Sequence, residues 1–158
     1  MPWFTIDNID EIDSPALVIH KERVRQNIHH AIEMIKDVRK LRPHVKTSKI
    51  AEVCQLIQQA GITKFKCATI AEAEMLARIS AKDVLLAYQP VGPKTKRLLS
   101  LVQTYPQTHF SCLLDNEDAA FHLSEIFSNA DTNVSVFIDL NVGMNRTGIQ
   151  LENAFTLF

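Results

Sequence analysis

Two short segments of this chain combine residue types and spacings that could do chemistry. The first is Arg42-Pro43-His44-Val45-Lys46-Thr47-Ser48-Lys49, immediately ahead of a helical pattern. It reads as the end of a strand followed by a helix, and in repeating strand–helix folds that end of a strand is where chemistry is done. A lysine there is the common side chain able to hold an aldehyde cofactor as a Schiff base. With the strand period of two, Arg42, His44 and Lys46 share a face, with Lys46 at the mouth and His44 one layer deeper. A dry pocket would destabilise the lysine's ammonium form and favour the attacking amine. The second segment, Gly143-Met144-Asn145-Arg146-Thr147-Gly148, follows a later strand. Its glycines suit positive φ and close approach to a ligand, and the fork of Arg146 suits a phenolate or carboxylate oxygen, unless it only ties down its own loop. Together the two segments point to pyridoxal phosphate.

Other residues nearby have plainer readings. Lys49 is expected on the first turn of the following helix, facing solvent unless a phosphate recruits it, while Thr47 and Ser48 can cap that helix. Asn141 and Asn145 serve a turn. Asp139 anchors the loop or orients a ligand-binding neighbour.

The elements that must position these groups alternate. Residues 15–19 read as a short strand and residues 21–40 as an amphipathic helix with Val24, Ile28, Ile32, Ile35 and Val38 on one face. Residues 41–46 are extended, and the next helix stops at Gly61. Strands are expected at residues 64–68, 83–88, 109–114 and 133–140. Thr69 and Glu72 have the spacing of a capping box. Gly92-Pro93 opens another helix with proline in its first turn, and Asp115 is expected to cap the helix running to about Phe127. This order predicts an α/β fold with a parallel sheet and helices outside it.

Composition narrows the function classes. The 158 residues are 46% hydrophobic, enough for one sizeable core. Net charge is −1 and the sequence pI about 6.6, without the basic surplus of a nucleic-acid partner. Lys94, Lys96 and Arg97 read as the solvated face of a helix. Cys54, Cys67 and Cys112 form no CxxC pair and read as core thiols of a cytoplasmic protein. No run approaches the roughly 20 apolar residues of a membrane span. A closed eight-strand barrel typically needs about 250 residues, so the chain is expected to be the N-terminal portion of a larger barrel protein.

The runs at residues 41–49, 68–74, 86–94 and 138–148 together resemble the D-threonine aldolase and D-serine dehydratase family, within the alanine racemase-like, fold-type III pyridoxal-phosphate enzymes. The resemblance implies a (β/α)8 TIM-type barrel present in part, with roughly five of eight strands, and residues 15–19 belonging to a C-terminal β domain. It assigns Lys46 to the internal Schiff base and Arg146 to the cofactor's phenolic oxygen; His44, one layer deeper on the strand, is expected to bind the cofactor unless it is a hydrogen-bonded core histidine. Ser48 replaces the histidine usual in the family's Lys-Thr-His-Lys run, and Asn141 stands where aspartate is common. The implied activity is that of a lyase on a small β-hydroxy D-amino acid. A racemase on the same scaffold and a non-catalytic cofactor carrier are the alternatives. A homodimer is implied, as is a divalent metal held by a C-terminal domain rather than by these residues.

Overall fold

The computed structural model describes residues 2–158. Four parallel strands form its sheet in the order β1 (Lys64–Cys67), β2 (Asp83–Leu86), β3 (His109–Leu114) and β4 (Ser135–Ile138). Between them run α3 (Ile70–Arg78), α4 (Pro93–Thr104) and α5 (Glu117–Asn129), preceded by α1 (Lys21–Ile35) and α2 (Ala51–Gln59). Neighbouring strands are consecutive in sequence, so crossovers of one hand place all the connecting helices on one face. Each helix packs on the next, as in part of a barrel wall.

Alternation along the strands explains the core. Phe65, Cys67, Val84, Leu86, Phe110, Cys112 and Leu114 point to the helical layer, where they meet Leu76, Leu98, Leu123 and Phe127. The opposite face carries a row in register across the sheet: Lys66, Leu85, Ser111 and Ser135. All three cysteines are free and buried, as expected of core thiols, and desolvation raises Cys54 to about 11 and Cys67 and Cys112 to about 12.

Three elements depart from the sequence reading. Residues 15–19 form no strand, pair with nothing among the described residues and are exposed, Leu17 to 74%. Strand-favouring side chains act by packing on cross-strand neighbours, and here they have none. Helix α1 stops at Ile35 rather than residue 40. Lys36 turns left-handed, and Asp37 accepts from the Arg39 N–H and guanidinium, diverting the chain into a short 3-10 turn.

The third departure concerns residues 41–46, which are not a full strand. They make a single parallel bridge, His44 to Lys66, so the sheet has four strands and a bridge rather than five strands. Pro43 has no N–H to give a ladder, and its carbonyl accepts the one bond, from Lys66 N–H at 2.8 Å. Arg42 secures the segment instead. Its two terminal nitrogens lie 2.6 and 2.8 Å from the two Asp83 carboxylate oxygens in a half-buried bidentate pair.

Candidate active site

The bridge at His44 fixes where Lys46 stands. Beyond it the chain leaves the sheet plane in a 3-10 turn, Val45–Thr47, whose Val45 is buried (3% exposed) and acts as the plug. His44 is the N-cap: its Nδ1 accepts the Lys46 N–H at 3.2 Å. Lys46 therefore lies at the C-terminal end of the sheet, as expected, but on a turn and exposed, rather than on a strand pointing into a dry mouth. The strand alternation stops one residue too early to put it on the face of His44.

His44 itself is half-buried, and its pKa is lowered. Burial is the main cause, the positive charges of Lys46 and Lys66 add to it, and the Glu72 carboxylate opposes it. The neutral imidazole is thereby kept as the acceptor that the turn requires.

Lys49 is largely exposed, its side chain to 62%, but it does not stand on a helix. It precedes α2, adopts left-handed φ of 54°, and its Nζ lies 3.5 Å from Glu72 Oε1. Glu72 is 5% exposed, and its other oxygen accepts the Ala68 N–H at 2.8 Å, while Thr69 Oγ1 accepts the Glu72 N–H at 3.1 Å. The capping box thus forms with its return bond one residue earlier than the motif suggests. Sequence reasoning saw the cap but not its link to Lys49, which joins residues 23 positions apart through the bridge to β1.

At the opposite edge of the sheet, beyond the C-terminal end of β4, residues 139–149 close on themselves. Ile149 N–H donates to Asp139 O and Asn141 N–H to Ile149 O, giving a second isolated bridge, Leu140 to Ile149. Asn141 Oδ1 accepts from the Gly143 and Asn145 N–H groups, and its amide donates to Asn145, so the pair serves the turn as expected. Gly143 and Gly148 have φ of 116° and 98°. A Cβ on Gly148 would sit 2.6 Å from Asn141 N, so this crossing needs glycine. Asp115 accepts the Gly148 N–H at 3.1 Å instead of capping α5, a role that falls to Asn116. Arg146 rides on this pinned loop, exposed, and among the described residues makes neither an ion pair nor a hydrogen bond. The alternative in which it ties down its own loop is not what the geometry shows.

The residue set fits pyridoxal phosphate in its chemistry. Lys46 offers a primary amine and Arg146 an unengaged guanidinium, both beyond the C-terminal ends of parallel strands, where such folds gather ligands. One cleft of about 270 Å³ opens between the first turns of α3 and α4, lined by Thr69, Tyr88, Gln89, Lys94 and Arg97 among others. Lys94 and Arg97, read from sequence as solvent-facing, border it, Lys94 Nζ lying 5.0 Å from the Tyr88 ring centroid. Among the described residues no group of three or more histidine, cysteine, aspartate or glutamate side chains could hold a metal ion, and no helix is long and apolar enough to cross a membrane.

Comparison with known proteins bears on the same residues. The family described as alanine racemase, N-terminal domain, matches residues 19–158. D-threo-3-hydroxyaspartate dehydratase of Delftia sp. (strain HT23) is 26% identical over 149 residues, covering 93% of this chain and 38% of that protein. D-threonine aldolase of an Arthrobacter species is 25% identical over 145 residues, 90% of this chain and 38% of its own. The crystal structure of D-threonine aldolase from Filomicrobium marinum superposes with a TM-score of 0.80 at 24% identity, covering 90% of this chain and 38% of that one, a likeness of fold. The chain thus spans well under half the length of these relatives.

Proposed function

This chain belongs to the alanine racemase N-terminal domain family, and from that premise we propose that the protein is a pyridoxal-phosphate lyase acting on a small β-hydroxy D-amino acid. The reading is supported by one observation above the rest: a lysine and an unengaged arginine both stand beyond the C-terminal ends of a parallel sheet whose relatives are a dehydratase and an aldolase. Lys46 supplies the amine that holds the cofactor aldehyde. Arg146 would hold the phenolic oxygen of the cofactor, and His44, which accepts the Lys46 N–H, fixes the turn that carries the lysine.

When bound, pyridoxal phosphate supplies an electron sink for the pair released as a bond at Cα breaks. With the cofactor bound, the Lys46 amine would be the group to move the Cα proton in a dehydratase course. An aldolase course calls for a divalent ion on the substrate hydroxyl, which belongs to this proposal together with a homodimeric, cytoplasmic enzyme.

The test is borohydride reduction in the presence of pyridoxal phosphate, followed by peptide mass mapping. A pyridoxyl adduct concentrated on Lys46 and abolished in Lys46→Ala is expected. D-threonine and D-threo-3-hydroxyaspartate are then assayed with and without divalent metal. Labelling spread evenly over the surface lysines would sink the assignment.

A further inference from the structure

We propose that Glu72 is a positioning residue for Lys46, acting through Lys49. The inference rests on the reading of Lys46 as the cofactor-holding amine, and the geometry behind it is independent of that reading. Past the buried Val45, residues 46–50 have little to hold them. Among the described residues, the Lys49–Glu72 pair is the one side-chain polar contact that ties this stretch to another element. The other restraints are local: the Lys46 N–H to His44, and the Lys49 N–H to Val45 O at 2.8 Å.

Lys49 has a Cβ yet sits at φ 54°, a conformation that persists only when surroundings impose it. Its N–H closes the turn on Val45 O, and its side chain then reaches the buried Glu72 carboxylate. Glu72 Oε2 is fixed by the Ala68 N–H at the end of β1. Its Oε1 is buried and lacks any hydrogen-bond partner, so the charge of Lys49 at 3.5 Å is what compensates it. One carboxylate therefore joins the end of β1, the first turn of α3 and the far side of the turn bearing Lys46. The same carboxylate is felt at His44, against the positive charges of Lys46 and Lys66. Removing it would take the carboxylate partner from Lys49 and release the side chain of the left-handed residue that closes the turn.

Glu72→Gln keeps an acceptor for Ala68 and so preserves the helix cap, while losing the charge. Lys49→Met removes the partner without touching the cap. Two readouts are taken on each variant and on the double variant: amide hydrogen exchange of the peptide spanning residues 45–50, and borohydride-trapped pyridoxyl incorporation at Lys46 relative to exposed Lys82. Each single variant is expected to exchange faster in that peptide by about fivefold, with a similar drop in the Lys46:Lys82 labelling ratio, the size of effect lost with a partly buried pair. The double variant is expected to match the singles, because both remove one interaction.

Exchange unchanged within about twofold in Lys49→Met would overturn the proposal. So would an effect in Glu72→Gln alone, which would mean that the Glu72 charge acts by a route other than Lys49. If Glu72→Gln fails to fold, Lys49→Met decides. A parent chain without selective labelling at Lys46 would remove the cofactor reading, and the exchange data would still test whether Glu72 holds the turn.

Discussion

Gly148 and His44 are the residues at which the site's geometry is most sharply constrained. The Gly148 backbone has φ 98° and crosses the strand end so closely that a Cβ would meet Asn141 N at 2.6 Å, whereas Gly143, at φ 116°, faces open space. Gly148→Ala should therefore lose about 2–4 kcal/mol, strain plus steric displacement, and Gly143→Ala about 1 kcal/mol, from strain alone. Urea unfolding of the two variants measures the contrast, and equal losses would mean that the crossing relaxes freely. His44 makes a pH prediction. Its pKa is lowered by burial first and then by Lys46 and Lys66, so the unfolded chain binds the proton more readily than the folded one. The stabilising contribution is fully present above the ordinary histidine value of about 6.5 and is lost as pH falls through it toward the folded value. The stability difference between the parent and His44→Gln should shrink from pH 7.5 to pH 5.5, and a difference that is flat with pH would remove His44 as the cause. The spacing of both glycines around Arg146 was legible because φ > 0 has a near-unique residue signature. The exposure of Lys46 was not, because a single proline decides whether residues 41–46 remain a strand.

At the scale of elements, side chains that compete for backbone N–H groups decide where structure starts and stops. Thr69, Asn116 and Asp37 each accept from an N–H two or three residues on, and an element begins there. Thr69 and Gly92-Pro93 could be read directly from sequence, since their motifs have a fixed spacing. Asp115 and Asn116 could not be separated, because both are good capping residues and only the later loop shows why Asp115 is taken. Its carboxylate holds the Gly148 N–H, 33 positions away. Asn116→Ala should cost about 1 kcal/mol of stability. Asp115→Ala should leave the helix intact and loosen the loop carrying Arg146, seen as faster amide exchange at Gly148. If instead Asp115→Ala shortened α5 by circular dichroism, the division of labour between the two residues would be wrong. The same logic explains why the expected helix over 21–40 ends early: hydrophobic periodicity continues to Val38, but Lys36 and Asp37 form a local turn that periodicity cannot register.

For the whole molecule, the parallel sheet divides hydrophobic residues into two populations with different jobs. Order β1-β2-β3-β4 gathers the helices on one face, where Phe65 is fully buried beneath them. The alternating strand–helix pattern made that layer predictable, because it depends only on local periods and short connections. What covers β4 is not a local property. Its side chains Val136 and Phe137 point to opposite faces and are 46% and 49% exposed, so this strand is finished on neither side within the described residues. Phe137 lies on the face away from the helices, in line with Leu113. The two phenylalanines should therefore respond in opposite ways to substitution. Phe65→Ala opens a cavity in the packed layer and should cost about 3–5 kcal/mol. Phe137→Ser removes apolar surface that is already half in water and should cost well under about 1 kcal/mol. Because a half-bare edge strand with an exposed aromatic invites pairing with another chain, the same change should lower concentration-dependent association of this chain in sedimentation velocity. A large loss of stability in Phe137→Ser would mean that this face is packed against something within the chain itself.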